Sequence, residues 1–147
     1  IFQLTHIYAH LMNEGIGLRQ LLDYYYVLIS DDLLLIRDRV QKELKELGLW
    51  KFAGAIMYIM QEVFGMPASR LIVPPNEKYG RFVLNEVLEA GNFGKHDERN
   101  RFGKSKLGHN LQRVYRDMRL VRYFPAEALS EPFFRVWHFF WRFKHRR

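Results

Sequence analysis

The chain has 147 residues, a formal net charge of +7 and no cysteine, which bounds it to about one domain with an unstapled core and excludes disulfides, thiolate metal sites and a cysteine nucleophile. No apolar run approaches the roughly 20 residues of a membrane-spanning helix and no secretory signal pattern opens the sequence, so the expectation is a soluble, cytoplasmic protein. Residues 1–94 hold 9 Lys and Arg against 11 Asp and Glu, residues 95–122 hold 9 against 3, and residues 123–147 hold 5 against 2; the last third therefore carries the basic surplus and is biased toward nucleic acid, phosphate or an acidic partner.

The first element is a helix. Ile1, Leu4, Tyr8 and Leu11, flanked by Ile7 and Met12, recur at helical spacing from the first residue, and a chain that starts inside an element reads as a fragment of a longer protein. Gly15 and Gly17 interrupt it. Residues 18–29 resume helical character until Ser30, Asp31 and Asp32 supply a stop and a fresh N-cap. The spacing then predicts one helix over about 32–47, with a buried stripe of Leu33, Ile36, Val40, Leu44 and Leu47. It ends at Gly48.

The next helix, about 49–64, is apolar on most sides and is expected at the centre of a bundle. Gly65 and Pro67 end it. Residues 66–76 read as a loop, since Leu71, Ile72 and Val73 precede two prolines and are too short and punctuated for a central strand. A helix over about 77–90 follows, stopping at Gly91, with Gly91 as its C-cap. Residues 95–106 are charged, rich in turn formers and expected to be a mobile basic loop. A sixth helix is predicted over about 107–122, with Leu111, Val114, Tyr115, Met118 and Val121 on one side. Pro125 separates it from a last helix over about 130–146. The expected fold is all-α: one helical domain over 1–147, a bundle of six or seven helices.

Several chemistries lack their residues. His6 and His10 have the four-residue spacing of two zinc ligands on a helix, but Ile7 stands where a metalloprotease helix needs Glu, and no third ligand is evident; no metal site is expected. The sequence has no Walker-type phosphate loop and no nucleophile elbow. Ser30, Ser69, Ser105 and Ser130 sit where caps and turns would put them, with no third group to complete a triad.

Arg19 and Asp23 are four apart near the start of a helix, the spacing of a local surface ion pair. With Gln20 they also project from a helix whose N-terminus, preceded by glycines, offers backbone N–H groups to a phosphate.

The stretch "EGIGLRQLLDYYYVL" at 14–28, followed by "EAGNFG" at 89–94, resembles the uncharacterised nucleotidyltransferase family of bacteria, similar to the minimal nucleotidyltransferases of the DNA polymerase β superfamily. The resemblance extends to about residue 110. It implies that Gly15, Gly17, Leu18, Arg19, Gln20 and Asp23 lie on the helical side of a nucleotide cleft, with Arg19 contacting phosphate or orienting a carboxylate and Asp23 orienting Arg19 or assisting the acceptor hydroxyl. It matches Gly91, Asn92, Phe93 and Gly94 to a second, structural motif.

The family also uses a Gly-Ser turn and a D-x-D pair on a small sheet to hold Mg²⁺ against a nucleoside triphosphate, and this chain has neither. The resemblance therefore implies the helical C-terminal part of a larger α+β protein, inactive alone, whose missing N-terminal half supplies the catalytic sheet. The resemblance implies Mg²⁺ and a nucleoside triphosphate as cofactors of that full-length protein, with none bound by this chain alone.

A rival reading comes from the C-terminal segment, where Arg135, His138, Arg142 and His145 form one polar stripe amid Phe and Trp. Such a helix packs in the bundle with a cationic edge, or lies on a partner or membrane surface. With the basic loop and the arginines of the sixth helix, it makes the alternative a non-enzymatic helical module for nucleic acid or an acidic partner.

Overall fold

A computed structural model of the chain describes residues 1–13, 15–90 and 118–125. The chain divides into two compact units, Ile1–Glu98 and Arg99–Arg147. Among the described residues every regular element is a helix and there is no strand: α1 Phe2–Asn13, α2 Leu18–Leu28, α3 Asp31–Leu35, α4 Arg37–Glu46, α5 Trp50–Phe64, a 3₁₀ turn at Ala68–Arg70, and α6 Glu77–Ala90. The all-α expectation holds. No helix of the described residues is long and apolar enough to cross a membrane.

The first unit is organised around α5, as its all-round apolar sequence predicts. Phe52, Ala53, Gly54, Ala55, Ile56, Met57, Ile59 and Met60 are all buried. Burying a large apolar side chain contributes roughly 1.5–3 kcal/mol, and with Phe52, Ile56, Met57, Ile59 and Met60 this helix supplies more of the described core than any other. It packs against α2, α4 and, most extensively, α6. From α1, whose Leu4, Ile7 and Leu11 are buried, Tyr8 tilts its ring onto Phe52 at 4.7 Å between centroids.

Two glycines bring α6 against α5. A Cβ on Gly80 would lie 2.6 Å from Tyr58 Cβ, and closer still to the Tyr58 ring; a Cβ on Gly54 would lie 3.1 Å from the Pro74 carbonyl oxygen. Gly54 also accepts the Asn76 N–H at 2.9 Å, and Asn76 Oδ1 in turn accepts the Tyr79 N–H at 3.3 Å in the first turn of α6. The start of α6 is thus tied to the middle of α5 by backbone as well as by side chains.

The turn between α4 and α5 is a left-handed cap. Gly48 has φ 71°; its N–H reaches the Lys45 carbonyl at 3.1 Å, and the Leu49 N–H reaches the Leu44 carbonyl at 2.9 Å. These are the two bonds of a Schellman motif, and Leu44 and Leu49, both buried, form its apolar contact.

The predicted helix over 32–47 is two helices. Ile36, with φ −109° and ψ 11°, ends α3 and precedes α4. The five-residue stripe is corrected with it: Val40 and Leu44 are buried, whereas Ile36 and Leu47 are 48% and 56% exposed and α3 buries no residue. The break resets the helical phase, so apolar residues before it no longer share a face with those after it. Ser30 stands at the N-cap of α3, but its side chain makes no capping hydrogen bond.

The loop reading of 66–76 is supported, with the short 3₁₀ turn inside it. Leu71, Ile72 and Val73 are buried without strand pairing, which raises the question of where their carbonyls bond. Arg37 Nη2 donates to the Leu71 carbonyl and Gln41 Nε2 donates to the Ile72 carbonyl at 2.6 Å, so α4 supplies the partners a sheet would have given. Arg70 fastens the same loop to the α2–α3 junction, through the Ile29 carbonyl at 3.1 Å and Asp31 at 2.7 Å.

In the second unit, Met118–Leu120 is helical and a turn occupies 121–123, so the sixth helix stops short of residue 122. Met118 is 67% exposed while Leu120 is buried. Gly91, Asn92, Phe93, Gly94, the 95–106 loop and the last helix lie outside the described residues.

Candidate functional site

The start of α2 is built by its two glycines, which do different jobs. Gly15 has φ 87°, a left-handed conformation that favours glycine, and its N–H caps α1 by bonding the His10 carbonyl at 2.8 Å. Gly17 is the N-cap of α2 in extended geometry, φ −107° and ψ 169°. Between them Ile16 is fully buried, and this anchors the turn to the core.

Gln20 completes the turn. Its Oε1 accepts the Gly17 N–H at 3.0 Å, half of a capping box; the reciprocal half needs a side chain that glycine lacks. The resemblance places Gln20 among nucleotide-binding residues, and the structure employs its carbonyl oxygen in the cap.

The faces of α2 follow from about 100° per residue. Leu21, Tyr24 and Leu28 are buried, and Arg19 and Asp23 stand on the opposite side, both exposed. Among the described residues no ion pair joins Arg19 to Asp23. Neither charge is spent on the other. Tyr24, beneath them, has its phenol pushed well above the ordinary range by burial, so it stays a neutral core residue.

Of the sequence-predicted set, the structure brings Gly15, Gly17, Arg19, Gln20 and Asp23 into one turn and the first turns of one helix. Gly15, Gly17 and Gln20 build the turn, and Arg19 and Asp23 are left to face outward. No group of three His, Asp or Glu able to hold a metal ion occurs among the described residues, so these residues do not form a Mg²⁺ donor set and no step through that ion is assigned to them.

A second polar cluster lies on α1. His6 and His10 place their Nε2 atoms 3.1 Å apart, with the rings edge-on at 4.3 Å between centroids, and Phe2 lies near-parallel to the His6 ring at 6.3 Å. A third, on α5 and α6, sets the ammonium groups of Lys51 and Lys78 5.9 and 6.0 Å from the Tyr79 ring and Arg81 6.0 Å from the Tyr58 ring. Sequence reasoning missed this third cluster, because Lys51 and Tyr58 of α5 meet Tyr79 and Arg81 of α6 only through the packing of the two helices. Arg81 also pairs with Glu77 at 2.9 Å, and this raises its pKa further.

Compared with protein-family models, with curated proteins and with solved structures, the chain matches none.

Proposed function

We propose that this chain is the helical, substrate-side part of a nucleotidyltransferase-like protein of the cytoplasm, and that the start of α2 meets an anionic nucleotide or acceptor. The observation that carries the reading is the exposed, mutually unpaired Arg19 and Asp23 behind a buried Gly-Ile-Gly turn. A cation and a carboxylate four residues apart on a helix ordinarily pair; here both are available to a ligand. In this reading Arg19 takes a phosphate by a charge-assisted bond, Asp23 serves the acceptor side, and the metal-binding carboxylates come from outside the described residues.

The test is a titration of the chain with ATP, followed by amide shifts. Shifts confined to residues 15–23 are expected, and Arg19→Ala should weaken binding by about tenfold, since a hydrogen bond to a charged group contributes about 1.5–3 kcal/mol. Binding indifferent to Arg19→Ala would overturn the reading.

A second reading is favoured by charge: the basic surplus beyond residue 94 suits a non-enzymatic module for nucleic acid. It requires polynucleotide affinity that falls steeply with salt as counterions are released.

A further inference from the structure

We propose that His6 and His10 form an open, two-imidazole site for a divalent late transition-metal ion on the solvent side of α1. Unlike the reading above, this does not depend on nucleotide binding.

The spacing of the two nitrogens is that of a chelate. The Nε2 atoms are 3.1 Å apart. With metal–nitrogen bonds of about 2.05 Å, that separation corresponds to an N–metal–N angle of about 100°, between the right angle of square-planar or octahedral ions and the tetrahedral angle. An i,i+4 pair on an intact helix holds this spacing through the backbone, so an ion is admitted by rotation of the two rings with the helix unchanged.

The protonation chemistry agrees. Two N–H groups cannot face each other at hydrogen-bond distance, so one ring presents a lone pair to the N–H of the other. With His6 as the donor, moving the shared proton to its far ring nitrogen, Nδ1, leaves both Nε2 atoms with lone pairs, in the neutral form that ligates metals. Phe2, near-parallel to the His6 ring, limits how that ring can turn away.

Two imidazoles leave at least two coordination positions for water or for a donor from another molecule. That distinguishes this site from a closed structural zinc and from the three-ligand groups absent among the described residues. Imidazole ligands suit Cu²⁺, Ni²⁺ and Zn²⁺ over Mg²⁺, with Cu²⁺ bound most tightly.

The experiment uses Zn²⁺ alone, titrated into the full chain by calorimetry and followed by the imidazole signals in ¹H–¹⁵N spectra. The chain holds four further histidines, His96, His109, His138 and His145, so the variants decide the assignment. Expected are joint shifts of the His6 and His10 rings with the first equivalent, and a loss of affinity of about tenfold or more in both His6→Ala and His10→Ala as a chelate reverts to a single ligand. His109→Ala should leave that first step unchanged. Alanine is a better helix former than histidine, and circular dichroism checks that each variant keeps its helix content. Equal first-step affinity in the wild type and both single variants, or movement of only one of the two rings, would overturn the proposal.

Discussion

α3 and α5 are both rich in large apolar residues, yet one buries nothing and the other nearly everything. In α3, Leu34 and Leu35 are 38% and 85% exposed; in α5, eight residues from Phe52 to Met60 are buried. Hydrophobicity is similar in the two segments, and what differs is access to neighbours. α5 carries Gly54 and small alanines where other backbone must come close, and α6 brings Gly80 to the same crossing. α3 is a five-residue helix with Ile36 breaking its continuation. Burial is a property of the fit between elements, and the leucine run alone does not specify it.

The comparison can be broken most severely at the centre of α5. Phe52→Ala removes a ring that is 1% exposed and packed on Tyr8, and should cost about 3–5 kcal/mol, read as a lower urea midpoint with an unchanged slope. Gly80→Ala tests the crossing itself. The added methyl has no space beside Tyr58, and a loss of about 1–3 kcal/mol is expected from overpacking. Adding Tyr58→Ala should restore only part of it, because Tyr58 Cβ itself is 2.6 Å from the new atom. Leu35→Ala, on α3, sharpens the contrast from the other end: at 85% exposure it should stay within about 0.5 kcal/mol of the parent, and a larger loss would show that α3 is covered in solution.

Much of the first unit was legible in its sequence because its punctuation is local. The helix predicted over 77–90 has the bounds observed, and the stops at Gly48 and Gly65 coincide with positive φ at both. The split at Ile36 was not legible, since no glycine or proline marks it. Tertiary anchors lie on either side of it: Asp31 held by Arg70, Arg37 bonded to the Leu71 carbonyl. Those partners are more than thirty residues away in sequence and leave no periodic trace.

The candidate site divides the same way. The four-residue spacings of Arg19 with Asp23 and of His6 with His10 could be read directly, because a helix converts spacing into proximity. What the spacing could not give was the outcome at each pair: the imidazoles meet, and Arg19 and Asp23 do not. The capping role of Gln20 was available in the Gly-x-x-Gln pattern and follows from backbone donors at a helix start.

The Schellman turn at Gly48 has a consequence for the order of assembly. It joins α4 to α5 through residues 47–49 alone, so bringing Leu44, Leu49 and the first turn of α5 together closes a very short loop, at little entropic cost. Pairings of this kind speed folding because they need no distant part of the chain. The α4–α5 hairpin is therefore the natural nucleus on which α6 and the 71–73 segment collect. Gly48→Ala, strained by its left-handed φ of 71°, should slow refolding while leaving the unfolding rate nearly unchanged; stopped-flow chevrons in which only the unfolding limb moved would place the nucleus elsewhere.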